Sequence, residues 1–268
     1  MMLKNVISHL GLQVLFKPHN IFLGIIKYIL DYGRYRAALL KSEADKSNPF
    51  QAKISSMFPC LLDYSHNSGI AKGHYFYQDI YVAAQIISRT PAIHLDLGSR
   101  VDGFIAHLLA AKQATLIGDI RPLYIQSEYV QHLQIDLMDN FTVKSIQHKY
   151  LSISCLHVLE HLGLGRYGDP IDVDGHLKAL KNITSLLDPD GRLYISFPIS
   201  KYSRLEFNAH RVFSKDYAER WFQSIGLSIV DFKCIADDGY FVDEKELSSQ
   251  LFLENLVYGC GIWTLTKN

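Results

Sequence analysis

From Pro91 onward the chain alternates short apolar runs with stretches of helical apolar spacing, the sequence form of parallel strands joined by crossover helices. Strands are expected near residues 92–97, 115–119, 132–135, 150–155, 192–197, 227–233 and 260–266. Helices fit near 102–112, 124–130, 174–187 and 214–225, the last capped by Ser214. The final strand follows a long excursion and is expected to insert antiparallel. The pattern predicts an α/β fold: a three-layer αβα sandwich around a mostly parallel seven-stranded sheet, occupying residues 91–268. Residues 1–90 read as an N-terminal helical extension or cap, with a polar linker from Lys41 to Pro49.

Charge narrows the partners. Lys plus Arg equal Asp plus Glu at 27 each, so no global basic field is present to hold a phosphate backbone, and nucleic acid is not an expected partner. The balance is uneven along the chain: residues 1–41 carry six Lys or Arg against Asp31 alone, with Ile21, Ile25, Tyr28, Ile29 and Tyr32 at helical spacing. Such a segment either packs its apolar stripe inside the protein or lies weakly on an anionic membrane surface. The apolar run Ile21–Leu30 is too short to span a bilayer, and Ser8, His9 and Gln13 interrupt any signal-peptide core. Cys60, Cys155, Cys234 and Cys260 lie far apart with no CxxC pair, so a reducing, cytoplasmic setting is expected, peripheral to the inner membrane face if residues 1–41 engage lipid.

The chemistry concentrates at strand ends. Ile93–Phe104 reads strand, glycine turn, helix start, with Asp96 before the turn and Gly98 and Gly103 within it. Glycine there lets backbone approach a ligand, and the helix start offers free N–H groups. The next strand, Ala114–Asp119, ends in a carboxylate suited to accept two ribose hydroxyls. Asp136 follows Leu133-Gln134-Ile135, within reach of an adenine amino group. Each acid alone is equally a cap or turn residue, but three at successive strand ends point to one nucleoside-like ligand.

These segments resemble the class I S-adenosylmethionine-dependent methyltransferases from about residue 91 to 266. The resemblance extends to Ser152–His161, similar to that family's "hVLEH" strand, and to Leu186–Pro198, similar to its "LkPGGxLxxxxP" turn and strand. A closer resemblance is to the family known as domain of unknown function 268, on Gly98–Phe104 and on Gly73–Asp79. It implies a Rossmann-like fold and S-adenosylmethionine as cofactor. Asp96, Gly98 and Gly103 would lie at its methionine end, Asp119 at the ribose and Asp136 near the adenine, with Ser99, Arg100 and Gln78 completing the set. The D/N-P-P-Y string of amino-directed nucleic-acid methyltransferases is absent, which points to O-methyl transfer onto a small-molecule or sugar hydroxyl, a glycan in surface-polysaccharide biosynthesis being the implied setting.

One departure bears on activity. The family's D-x-G-x-G-x-G has glycines where this chain has Arg100 and Asp102. Arg100 either meets the cofactor carboxylate or pairs with Asp102, and a protein that kept the fold without turnover, a binding or scaffold protein, is the second reading. A nicotinamide oxidoreductase is disfavoured because G-x-G-x-x-G is missing. His210, in the segment after strand five, is the first candidate general base and His157 the second, since imidazole titrates near neutrality. His157-Val158-Leu159-Glu160-His161 also satisfies H-x-x-E-H, but the string follows a buried strand, and no metal is expected from it. Asp169, Asp172, Asp174 and Gly175 lack the spacing and distal Glu of a calcium loop and read as solvated loop and helix cap.

Overall fold

The computed structural model describes residues 18–41, 52–65, 69–247 and 250–268, so part of the basic N-terminal segment (residues 1–17) and the linker at 42–49 lie outside the described residues. The chain divides into two compact units at residues 70 and 71. The first contains helix α1 (Pro18–Lys41) and two single helical turns, Ile54–Ser56 and Asp63–Ser65. Within it Tyr32 donates a hydrogen bond to the carbonyl of Ala52, and Asp31 pairs with both Lys27 and Arg34.

The second unit opens with α2 (His74–Arg89), whose Asp79, Val82, Ala83 and Ile86 form one buried stripe at helical spacing. Strands β1 (His94–Leu97), β2 (Thr115–Asp119), β3 (Val130–Gln134), β4 (Tyr150–Leu156) and β5 (Leu187–Ile199) follow, with β8 (Leu227–Ile235) and β9 (Gly259–Lys267) completing one sheet. Its order is β3-β2-β1-β4-β5-β9-β8. The six pairings differ by position: β3/β2, β2/β1, β1/β4 and β4/β5 are parallel, while β9 runs antiparallel between β5 and β8. This is the Rossmann-like three-layer sandwich expected from the alternation, with the last strand reversed.

Two apolar layers sandwich the sheet. On one face, Ala179, Leu180 and Ile183 of α5 (Gly175–Leu186) and Trp221 and Phe222 of α6 (Lys215–Ser224) pack over Ile153, Ile195, Phe197 and Trp263. On the other, Val82 and Ile86 of α2 and Phe104, Ile105 and Leu108 pack over Ile117, Tyr194 and Ile262. The latter group belongs to a π-helical turn, Val101–Ile105, that runs into α3 (Ala106–Ala110). A short α4 (Asn140–Lys144) precedes β4 and is capped by Asp139. Ser214 caps α6 as expected, accepting from the N–H of Tyr217.

Four local features depart from the sequence reading. No helix forms at 124–130: residues 120–129 cross irregularly from β2 to β3. Leu123 and Ile125 both pack on the core, two residues apart as in extended chain, and the backbone beside Pro122 is tied down where Arg121 N–H donates to Asp119. The Leu187–Gly191 turn is a register shift inside β5, between the pairs Tyr150↔Leu187 and Ser152↔Arg192, so the strand begins earlier than 192. The segment after β5 contains a hairpin, β6 (Arg204–Glu206) with β7 (His210–Val212). Two short helices, α7 (Glu244–Leu247) and α8 (Gln250–Asn255), lie between β8 and β9.

Candidate active site

The chain passes from β1 to β2 on one side, while β4 pairs with β1 on the other, so the β1/β4 boundary is the switch point where open α/β sheets bind ligands. A cleft of about 230 Å³ opens there, at the carboxyl ends of the strands. Of the expected site residues, Gly98, Arg100, Asp119, Asp136 and His157 line it. His161, read from sequence only as part of the H-x-x-E-H string, also lines it, as do Tyr75, Arg121, Arg166 and Tyr167, for which the sequence carried no site signal.

Asp96 lies beneath this cleft, fully buried. Its Oδ1 accepts from Ser99 Oγ at 2.6 Å and Ser154 Oγ at 2.5 Å, and its Oδ2 from Ser99 N–H at 3.2 Å. Behind it, His94 bridges Ser154 Oγ (Nε2, 2.8 Å) and Ser152 Oγ (Nδ1, 2.8 Å). Because the Ser154 proton goes to Asp96, His94 donates from Nε2 and accepts from Ser152 at Nδ1, which fixes a neutral tautomer. Burial alone pushes His94 down to about 3, and burial pushes Asp96 up to about 6 against the hydrogen bonds of Ser154 and Ser99. Ser99, whose hydroxyl is spent on Asp96, therefore shapes the turn from below.

The glycines differ in their reasons. Gly98 has φ +76°, and a Cβ there would sit 3.0 Å from both Val158 methyls, so a side chain would be strained and would press on the cleft wall. Gly103 lies away from the cleft: a Cβ would come within 2.6 Å of Asp79 Oδ2, so its bareness lets α2 pack against the turn. Gln78, on α2, is also outside the cleft, accepting from Ser196 Oγ and donating to Asp79 Oδ1 at 2.9 Å.

Two ion pairs flank the opening. Arg100 grips Asp102 with both arms (3.1 and 2.7 Å) and lies over the Tyr75 ring. Asp119 accepts from Arg121 N–H, Nε and Nη2 at 2.8, 2.9 and 2.7 Å, and Arg121 lies 4.9 Å from the Tyr167 ring centroid. Burial raises the Asp119 carboxyl, but the Arg121 hydrogen bonds outweigh it and hold the group below its ordinary value. Asp136 accepts from Met138 N–H at 2.8 Å, closing the turn after β3.

His157 follows β4 directly with φ +54°, its N–H donating to Ser196 O at 3.0 Å. Its Nδ1 meets Glu160 Oε1 at 2.7 Å. Glu160 is buried; burial raises it, yet His157 and His161 outweigh that and hold it low. His157 and His161 do not share a helical face, since residues 158–161 form a turn and His161 Nδ1 meets the carbonyl of Ala209 at 2.7 Å. His210 is buried on β7, outside the residues lining the cleft, with Nε2 3.0 Å from Glu206 and its ring against Tyr258. In the 169–175 loop, Asp169 accepts from the N–H groups of Gly163, Gly165 and Tyr167, and Asp172 binds Lys178.

Strand order and cleft together define a Rossmann-like three-layer fold with the last strand reversed and an opening at the β1/β4 switch point. Residues 106–220 match the family described as "Caenorhabditis protein of unknown function, DUF268", downstream of the Gly73–Asp79 and Gly98–Phe104 segments that first suggested it. Among solved structures, 1,6-didemethyltoxoflavin-N1-methyltransferase of Burkholderia thailandensis, with S-adenosylhomocysteine bound, is similar at 17% identity and a TM-score of 0.49, covering 70% of this chain and 78% of that one. The N-methyltransferase NodS of Bradyrhizobium japonicum WM9 is similar at 12% identity and a TM-score of 0.48, covering 73% and 88%. Magnesium protoporphyrin IX methyltransferase of Synechocystis PCC 6803, with S-adenosylmethionine bound, gives 15%, 0.45, 71% and 79%. No curated protein matches the chain in sequence.

The buried imidazole has a measurable signature. His94 titrates near 6.5 when unfolded and near 3 when folded, so its stabilisation is complete above pH 6.5 and is lost as pH falls through that window. His94→Gln removes this dependence. Urea unfolding at pH 7, 6 and 5 should show wild type losing stability relative to the variant by roughly 1.4 kcal/mol per pH unit below 6.5; parallel curves would contradict a buried neutral His94.

Proposed function

We propose that the chain is an S-adenosylmethionine-dependent methyltransferase that transfers a methyl group to the hydroxyl of a small molecule, sugar or glycan. The observation that carries this reading is the convergence of the Gly98 turn, Asp119, Asp136 and His157 on one cleft at the β1/β4 switch point. Asp119 would accept the ribose hydroxyls, Asp136 would reach the adenine and the Gly98 turn would receive the methionine end, with Arg100 beside it. Ser99 and Asp96 support the turn, while Gly103 and Gln78 act from the packing beneath. Bound S-adenosylmethionine would supply the methyl group and leave as S-adenosylhomocysteine, and the proton of the acceptor hydroxyl would pass through His157 to solvent.

His157 is the imidazole at the cleft and is the residue proposed to activate the acceptor, oriented through Glu160. His210, one ring further out against Tyr258, is proposed to position that side of the site. Most of the rate would come from orienting acceptor and methyl, with a positioned activating group adding about 10²–10⁴-fold.

A second reading, a binding or scaffold protein of surface-polysaccharide biosynthesis without turnover, is favoured by one observation: Arg121 already occupies both oxygens of Asp119. Ribose hydroxyls would have to displace a bidentate charge-assisted pair. Calorimetry with S-adenosylmethionine, S-adenosylhomocysteine and NAD separates the readings. The methyltransferase binds the first two and not NAD, and Asp119→Ala weakens S-adenosylhomocysteine at least tenfold, given roughly 1.5–3 kcal/mol per charge-assisted bond. Silence toward all three in wild type, together with tight binding in Arg121→Ala, would support the closed, non-catalytic form.

For turnover, labelled cofactor is offered to sugar nucleotides and lipid-linked glycans. His157→Ala should bind S-adenosylhomocysteine as wild type does and lose most activity, with a smaller loss in His210→Ala. The reverse order would return the activating role to His210.

Weak attachment to an anionic membrane surface is proposed for the N-terminal segment. Phe22, Ile29 and Leu30 of α1 are more than half exposed beside Lys27, Arg34, Arg36 and Lys41, and no described helix is long and apolar enough to cross a membrane. This would hold a cytoplasmic enzyme near a lipid-linked acceptor. The full chain should float with anionic vesicles at low salt and be released by high salt; failure to float at low salt would remove the membrane from the proposal.

A further inference from the structure

Three elements far apart in sequence bring His74, His157 and Cys260 together. His74 is the first residue of α2, His157 follows β4, and Cys260 is the second residue of β9, opposite Pro198 of β5 and Ile235 of β8. One ligand-capable atom of each lies within 4.8 Å of the others. We propose that these three side chains bind a zinc ion, with His157 Nε2 and Cys260 Sγ as its fixed ligands.

The geometry supports the ion at several points. His157 Nε2 and Cys260 Sγ are 3.4 Å apart, close to the roughly 3.5 Å that Zn–N and Zn–S bonds of about 2.0 and 2.3 Å subtend in a tetrahedron. The longer separations therefore involve His74. Its ring is stacked between those of His157 and Tyr258, at 5.4 Å from each, and as a half-buried side chain it is the member of the three that would shift to complete the set. Both imidazoles carry the outer support that metal-bound histidines need: His157 gives Nδ1 to Glu160 at 2.7 Å, and His74 gives a ring N–H to the carbonyl of Tyr258.

Charge supplies an independent argument. Glu160 is 1% exposed, and its Oε2 has no hydrogen-bond partner among the described residues. His157 and His161 already favour the Glu160 carboxylate, but its second oxygen lies buried without a donor, so further positive charge nearby is favourable. When the Cys260 thiol gives up its proton to solvent on binding, thiolate and carboxylate together match a divalent ion. Two imidazoles and a thiolate select a soft or borderline metal with tetrahedral preference and disfavour magnesium and calcium, which take oxygen ligands. Three protein ligands leave a fourth position, the form of a reactive zinc site. The H-x-x-E-H string takes part only through His157 and Glu160, because His161 is turned to Ala209.

His157 also lines the cleft, so an ion on Nε2 would make it act on an acceptor through the metal's charge; that consequence alone rests on the methyl-transfer reading. The site itself is tested without any acceptor. Full-length protein, stripped with a chelator, is titrated with Co²⁺ and followed by absorption, then competed with Zn²⁺. One Co²⁺ should bind per chain, with thiolate charge-transfer absorption and the visible bands of a four-coordinate ion. Zn²⁺ should displace it. Cys260→Ser should lose the charge-transfer band, and Glu160→Gln should keep the band with about 10–100-fold weaker affinity. Should Cys260→Ser fail to fold, His74→Ala, altered at a half-buried position, should bind at least tenfold more weakly with the band retained. Absence of the band in wild type, its persistence in folded Cys260→Ser, or wild-type affinity in His74→Ala would overturn the site. S-adenosylhomocysteine calorimetry on the same metal-free protein reports on the methyltransferase reading separately.

Discussion

Asp96 is a carboxylate buried at the end of β1, and the groups that meet it are two hydroxyls and one backbone N–H. In such a position a charged or half-charged acid is tolerated only while every donor stays in place. Those donors tie together three things. Ser99 fixes the turn after β1, Ser154 fixes the register of β4 against β1, and His94 locks Ser154 to Ser152 along the same strand. Gly98 can hold its left-handed backbone and Val158 can close on it because this network sets the distance between β1 and β4. The cleft above is a consequence of that spacing.

Much of the architecture was legible because short runs such as Ile93–Leu97 and Ser152–Leu156 stand between helical stretches and turn signals, even though buried polar residues (His94, Asp96, Ser152, Ser154) alternate with the apolar ones in them. The irregular β2–β3 crossing was misread as a helix, since Leu123 and Ile125 make their contacts from extended chain that local spacing does not reveal. Within the site, strand-end positions were readable because topology places them: Gly98, Asp119, Asp136 and His157 all reach the cleft. Gln78 follows from the resemblance on Gly73–Asp79, Gly103 from the glycine turn and His210 from its place after strand five. Their side-chain surroundings are set by α2 and by the β6/β7 hairpin, which a single sequence does not orient. Cys260 was counted only as a lone cysteine, since its neighbours come from 186 and 103 residues upstream.

The two residues that break the glycine pattern acquire a physical meaning beside a third and fourth. Arg100-x-Asp102 and Asp119-x-Arg121 are the same device in opposite order, a basic and an acidic side chain two residues apart closing on each other. Each pair is internally neutral, so the flanks of the cleft carry charge without net field. The Arg100–Asp102 pair is largely exposed and contributes little to stability. The Asp119–Arg121 pair is more protected on its acidic side and sets how available that carboxylate is to any ligand.

The position of β9 has a consequence for how the chain comes to be folded. β8 precedes in the chain its one sheet partner among the described residues, β9, the strand that separates it from β5. Until residues 259–267 emerge from the ribosome, β5 and β8 both present unpaired edges, the kind of surface that recruits strands from other chains. Trp263, wedged among Phe197, Phe222 and Phe232, arrives with the same strand, so the aromatic core on that face also closes last. Closure of the sheet and completion of this aromatic core are thereby tied to one strand, β9.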